Sequence, residues 1–242
     1  MFRQVVPLNV RRHAGLRLRA LPGFAHAAGL HMAALMQAEI VRASALYPIV
    51  FVEDRDNDTF RPMALLGLEP GENVFVDPTG HWRASYIPAV VRAYPFALAR
   101  AHRPDRFTVC IDAGSELFSV ADGTPLFDDA GLPTAALEEA KGYLGSLWRM
   151  QLQTDAFARA LAQRNLFTPF TVSVRRDDRT LEVAGAYVVN EQRLEGLPDE
   201  RLFELRQRGW LASVYAHLTS LLQMERLEAA PAAGPSSTGR QP

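Results

Sequence analysis

The hydrophobic pattern of this chain changes character near residue 134, and that change limits the fold more than any other feature. Before it, apolar runs are short and stand between Pro- and Gly-bearing turns. Tyr47-Pro-Ile-Val-Phe-Val52, Met63 to Leu68, Asn73 to Asp77 and Phe107 to Asp112 are such runs, and their length and β-branched content read as strands. Glu69-Pro-Gly71, Asp77-Pro-Thr-Gly80 and Ala121-Asp-Gly-Thr124 supply turns, because Pro fixes φ and Gly accepts positive φ. After Thr134 the apolar residues Leu137, Ala140, Leu144, Leu147 and Trp148 recur at helical spacing. Strands followed by helices predict an α+β fold. The N-terminal half is strand-rich and mostly antiparallel, and the helix-rich C-terminal half packs on it.

Finer expectations follow from the same pattern. Arg17 and Arg19 alternate with Leu16 and Leu18, as in a short strand with a basic outer face. Met32, Leu35, Met36, Ile40 and Val41 suggest a helix within His31 to Leu46. Pro48 belongs at the start of the strand that follows, where a missing donor is tolerated. Tyr86 to Arg100 reads as a helix interrupted by Pro88 and Pro95, and Glu116 to Val120 as the strand partner of Phe107 to Asp112. Thr134 can cap a helix whose first turn holds Glu138 and Glu139. Thr154 or Asp155 starts a second one. Phe170 to Val174 and Leu181 to Val189 form a hairpin around Asp177-Asp178. Pro198-Asp-Glu200 opens a helix that Gly209 ends, and a last helix runs from Trp210 to about Leu227. Residues 1–228 are expected to form one domain. Residues 229–242, rich in Ala, Pro, Gly and Ser, offer too little apolar burial to offset ordering and are expected to form a flexible tail.

Charge narrows the partners. The 242 residues carry 26 Lys or Arg against 27 Asp or Glu, a net charge of −1, which argues against a general nucleic-acid binder. Lys141 is the only lysine, so the surface pairs its charges through guanidinium forks. Cys110 is the single cysteine and lies in an apolar run, as a buried structural thiol does. The stretch from Ala43 to Val52 is broken by Ser44 and Pro48, and nothing approaches the roughly 20 apolar residues of a membrane span. With no secretory leader after Met1-Phe-Arg-Gln-Val-Val-Pro7, a cytoplasmic protein is expected. Leaderless export would leave no trace in these features.

Complete catalytic motifs are missing from the sequence. Asp54, Asp56 and Asp58 alternate in Glu53-Asp-Arg-Asp-Asn-Asp58, which resembles the start of an EF-hand loop, but Thr59 replaces the turn glycine and Leu65 the bidentate Glu. None of the six histidines is followed two residues later by an acid, so no metal is expected. Gly114-Ser115 lacks the second glycine of a nucleophile elbow, since Leu117 stands there. No Gly-rich phosphate loop occurs, and no cofactor is expected.

Two clusters remain. Trp82, Tyr86, Arg92, Tyr94 and Phe96 place rings beside a fork-shaped cation. Such a set stacks a planar group or grips a carboxylate; the alternative is an aromatic core with a snorkelling arginine. On the last helix Ser213, His217 and Ser220 share one face by i, i+4, i+3 spacing. His217 could serve as a general base if it faced a cleft. Otherwise it is a structural histidine beside the apolar stripe.

The chain resembles the SapC family over roughly residues 5–228. The likeness rests on Tyr47-Pro-Ile-Val-Phe51, Leu65-Leu-Gly-Leu68, Glu72-Asn-Val-Phe-Val76, Gly80, Trp82, Tyr86-Ile-Pro-Ala89 and Arg92-Ala-Tyr-Pro-Phe96. Ile111-Asp112, Leu126-Phe127, the segment Phe157 to Leu166 and His217-Leu-Thr-Ser-Leu221 extend it. The resemblance implies a bacterial protein associated with surface-layer assembly or export and with outer-membrane receptors, and it implies no catalytic residues. A peptide-transporter permease subunit shares the family's name but must span a membrane, so that role is excluded. Ala93 stands where a second arginine is expected before Tyr94, which would halve an anion clamp. The expected function is therefore a non-enzymatic binding or accessory protein with a protein or peptide partner, recognised through Trp82, Tyr86, Arg92 and Tyr94. The competing expectations are a peptide- or amino-acid-directed enzyme using His217 and an oligomeric scaffold.

Overall fold

A computed structural model describes residues 1–54, 59–100, 107–176 and 179–230. The N-terminal half contains β1 (Val5–Pro7), α1 (Val10–His13), β2 (Arg17–Leu18), β3 (Met32–Ala34), α2 (Ile40–Ala43), β4 (Ile49–Asp54) and β5 (Thr59–Leu65). It continues with α3 (Ala89–Arg92), β6 (Phe96–Arg100), β7 (Phe107–Asp112), β8 (Phe118–Ser119) and β9 (Thr124–Pro125). The C-terminal half holds α4 (Ala135–Gln163), the hairpin β10 (Phe167–Arg176) and β11 (Arg179–Val189), then α5 (Glu191–Glu195) and α6 (Asp199–Gln207). The chain closes with α7 (Trp210–Ser220) and α8 (Met224–Ala229). The fold is α+β, with a strand-rich first half and a helix-rich second half. Every strand pairing among the described residues is antiparallel.

Three sheets form. The largest has the order β10-β11-β4-β5-β3, and the two smaller ones are β1-β7-β6 and β8-β2-β9. The long hairpin from the second half thus joins strands of the first half in one sheet. The 29-residue helix α4 links two apolar cores. Leu137, Leu144 and Leu147 pack with Phe96, Ile111 and Leu126 beside the β1-β7-β6 sheet. About three turns further on, Phe157 and Leu161 pack with Ile49, Phe51, Trp82 and Val214 against the five-stranded sheet. Each large apolar side chain buried in this way contributes about 1.5–3 kcal/mol of transfer free energy.

Several local expectations need correction. The segment His31 to Leu46 is not one helix: Met32–Ala34 pairs with Met63–Leu65 as the edge strand β3, and only Ile40–Ala43 is α-helical. Its apolar spacing suited a helix, but pairing with β5 overrode it. Asn73 to Asp77 forms turns with a single bridge, Val76 to Trp82. Tyr86 to Arg100 is helical only over Ala89–Arg92, and Phe96 onward is strand, as Pro88 and Pro95 dictate. The partner of β8 is β2, while β7 pairs with β1 and β6.

Further along, Thr154 and Asp155 do not start a second helix. Thr154 Oγ1 donates back to Met150 O (2.7 Å) and Asp155 accepts from Gln151 Nε2 (2.6 Å), so both sit inside α4. Thr134 is the N-cap residue of α4, but its hydroxyl donates to Pro125 O (2.7 Å) instead of capping. Gly209, at φ +70, ends α6 and starts α7 as expected. Asp56, Asp58, Asp177, Asp178 and the tail from residue 231 lie outside the described residues.

Candidate ligand-binding cleft and a buried polar triad

Segment 82–96 hangs from a hydrogen-bond chain that begins in the core. Trp82 is 4% exposed, and its Nε1–H donates to Tyr47 Oη (3.0 Å). Tyr47, itself sealed, donates to the carbonyl of Tyr86. Burial pushes the Tyr47 phenol up to about 12, against the opposing effect of the Trp82 donor, so the hydroxyl stays protonated and fixed as a donor. Trp82 therefore lines the interior, edge-on to Phe24, and not a recognition surface.

Tyr86 is half-buried above a buried carboxylate. Its hydroxyl donates to Glu39 Oε1, which also accepts Ala89 N–H (2.8 Å), while Glu39 Oε2 accepts Met36 N–H (2.8 Å). Burial and this carboxylate raise the Tyr86 phenol well above its ordinary value. The Tyr86 ring carries two cations. The guanidinium carbons of Arg42 and Arg92 lie 4.9 and 5.9 Å from its centroid, and that of Arg92 also lies 5.7 Å from the Tyr143 ring. Arg42 of α2 thus brings a second guanidinium to the same ring. Contacts of this kind contribute about 0.5–1 kcal/mol at exposed sites, enough to orient a guanidinium without immobilising it.

Arg92 is exposed, with Nε donating to Ile87 O (3.1 Å). Together with Tyr94 it lines an open cleft of about 630 Å³ between segment 92–96, the Leu18–Leu21 strand end and the first turns of α4. Leu21, Phe96, Leu117 and Leu144 give it apolar surface, and Tyr143 and Glu139 stand on the helix side. Arg19 also lines it, but its charge is matched by Asp122, which accepts from Nε (2.9 Å) and Nη2 (2.7 Å). Tyr94 stacks on His26 with centroids 4.0 Å apart and planes at 9°. Its hydroxyl donates to Asp112 Oδ2 (3.3 Å). Burial alone would push Asp112 up, yet backbone N–H groups of Gln4, Arg3 and Gly114 outweigh it and hold the carboxyl below its usual range.

The Ser213, His217 and Ser220 triad is organised differently. All three are buried, and His217 is 0% exposed. Its Nδ1–H donates to Ile49 O (2.8 Å), and Nε2 accepts Val189 N–H (3.1 Å). Strands β4 and β11 pair at Phe51 and Tyr187. Continuing that register would put Ile49 opposite Val189, and there the imidazole bridges the two backbones in place of a direct bond. Ser220 Oγ accepts Ile49 N–H (3.0 Å), and Ser213 Oγ accepts from Gln37 Nε2 (2.6 Å). Burial lowers the His217 pKa to about 4, with the Ile49 carbonyl partly opposing. An imidazole with both nitrogens held by backbone and no open edge cannot reach a substrate proton, so the geometry is that of a structural histidine.

Of the residues singled out in the sequence, Arg92 and Tyr94 come together at the cleft. Tyr86 sits beside Arg92, and Trp82 stays in the core. Sequence reasoning missed Arg42, Glu39 and Tyr143. Tyr143 was discoverable, since Ala136, Glu139, Ala140 and Tyr143 recur at i, i+3, i+4, i+7 and mark a helix face beside the apolar stripe. Glu39 carried no local signal, because its partners are backbone groups brought together by the fold.

Among the described residues no group of three His, Cys, Asp or Glu side chains is placed to hold a metal, and no helix is long and apolar enough to cross a membrane. No curated protein and no solved structure matches the chain. The family model described as SapC matches residues 8–227, and over that span it takes in every element from α1 to α7 that builds the cleft and the triad. The chain belongs to the SapC family.

Proposed function

We propose that this protein is a non-enzymatic binding or accessory protein that recognises a peptide or protein segment through the Arg92–Tyr94 cleft. One observation carries the reading: an exposed guanidinium, oriented by the Tyr86 and Tyr143 rings, stands over an open cleft with apolar surface. A fork-shaped cation grips a carboxylate in two places, while apolar walls take neighbouring side chains. Glu139 on the helix side adds a site for a backbone or cationic donor. The ligand that fits is an extended segment bearing an acidic group next to apolar residues. Surface-layer or outer-membrane systems are the setting that the family resemblance implies for such a partner.

The test is selection from a displayed hexapeptide library on immobilised wild type and on Arg92→Ala. Wild type should enrich acidic–apolar sequences, and the variant should lose at least about tenfold in affinity for them, the worth of a charge-assisted hydrogen bond pair. If folded Arg92→Ala selects the same peptides with equal affinity, the assignment fails.

A further inference from the structure

Three charged side chains line the Arg92 cleft: Arg19, Arg92 and Glu139. Arg19 is neutralised by Asp122, whose Oδ1 lies 2.7 Å from Nη2. Arg92 and Glu139 are both exposed, and among the described residues neither makes an ion pair, with the other or with any third group. Glu138, one position earlier, shows the contrast, since it holds the chain's single lysine through Lys141 Nζ at 2.6 Å. Arg92 donates through Nε to Ile87 O (3.1 Å), which leaves its two terminal nitrogens as the fork for an end-on carboxylate.

The two unmatched charges stand beside one ring. The guanidinium carbon of Arg92 lies 5.7 Å from the Tyr143 centroid. Glu139 precedes Tyr143 by one helical turn on the same face of α4, where Cβ atoms are about 5–6 Å apart. A purely acidic ligand answers only half of this arrangement. Its carboxylate would be drawn to Arg92 and repelled by Glu139, whereas a ligand that also carries a cation replaces the repulsion with a second ion pair. In an extended chain, side chains two residues apart leave the same face about 6.6–6.8 Å apart, and the one between them points the other way.

We propose, resting on the peptide reading above, that the bound segment carries a basic residue two positions from its acidic one. The acid sits on Arg92 and the base on Glu139. The apolar side chain between them turns away, toward Leu21 and Leu117 of the same cleft.

Calorimetric titration with capped pentapeptides tests this. The set is Leu-Asp-Leu-Lys-Leu, the reversed Leu-Lys-Leu-Asp-Leu, Leu-Asp-Leu-Gln-Leu and Leu-Asp-Leu-Asp-Leu. One of the two acid–base peptides should bind at least about tenfold tighter than the Gln peptide, the worth of a charge-assisted contact, and the double-acid peptide should bind weakest. Glu139→Gln should bring the acid–base and Gln peptides to the same affinity. Glu139→Lys should reverse the order, so that the double-acid peptide binds best. Arg92→Ala should weaken every peptide. Equal wild-type affinity for the Lys, Gln and double-acid peptides, with all of them lost in Arg92→Ala, would overturn the basic residue and leave the peptide reading standing. Selectivity for lysine that survives in folded Glu139→Gln would overturn the role of Glu139 alone. No saturable binding of any peptide, or binding untouched by Arg92→Ala, would overturn both readings. So would 6-aminohexanoate binding as tightly as the best peptide, because the cleft would then take a small zwitterion.

Discussion

The α7 triad and the 86–96 segment contain similar chemistry and put it to opposite uses. In the triad, the His217 imidazole and the Ser220 hydroxyl face strands whose backbones diverge, and they close the gap: Ile49 N–H, Ile49 C=O and Val189 N–H all find side-chain partners there, while Ser213 holds the Gln37 side chain. In the 86–96 segment the backbone satisfies itself through the short helix α3 and the carboxylate of Glu39. The side chain of Arg92 is then left at the surface. What decides between scaffold and recognition surface is where unsatisfied backbone lies, not the type of side chain. A histidine beside a serine is a catalytic pattern only when the neighbouring main chain does not need it.

The largest effect should come from His217→Leu. It strips partners from two buried backbone groups at about 1–3 kcal/mol each, so urea unfolding should show a loss of roughly 3 kcal/mol or more. A loss under about 1 kcal/mol would mean that water reaches the gap and that the triad is less sealed than described.

Acid should produce a comparable but graded effect. The His217 pKa is lowered to about 4 in the folded protein, against an ordinary value near 6.5. The unfolded chain therefore binds the proton first as pH falls. The contribution is complete above about pH 6.5 and is lost progressively toward pH 4, about 3 kcal/mol in all. His217→Gln should flatten that part of the stability profile. An equally steep profile in the variant would assign the acid sensitivity elsewhere.

A smaller change is expected from Trp82→Phe, which keeps the ring contact but removes the donor to Tyr47. Thermal unfolding should report a loss of about 1 kcal/mol, with no effect on peptide binding. Loss of binding by a stable Trp82→Phe would return this residue to the recognition surface. Smallest of all, Arg92→Ala should change stability by less than about 0.5 kcal/mol, because an exposed cation on a ring contributes little.

The broad layout was legible because periodicity records burial. The stripe from Leu137 to Trp148 gave α4, the hairpin strands showed their β-branched residues, and Pro198 and Gly209 marked real helix ends. The errors lie where long-range pairing decides. Met32–Ala34 became a strand because β5 offered an unpaired edge, and Thr154 stayed in helix because Gln37 N–H (2.8 Å) and Met150 O take both sides of its hydroxyl. The candidate site was half legible for the same reason. Arg92 and Tyr94 are close in sequence and in space, but Arg42, Glu39 and Tyr143 reach Tyr86 and Arg92 from other elements. Trp82 misled because adjacency in sequence hid its bond to Tyr47 in the core.

The central claim is that the Arg92 guanidinium meets the ligand. Phenylglyoxal modification of arginines, mapped by mass spectrometry with and without a saturating library-selected peptide, reads this directly. Arg92 should react readily in the free protein and be protected in the complex, while Arg11 and Arg12, exposed on α1, react alike in both. An Arg92 modified equally fast under saturating peptide would contradict the account.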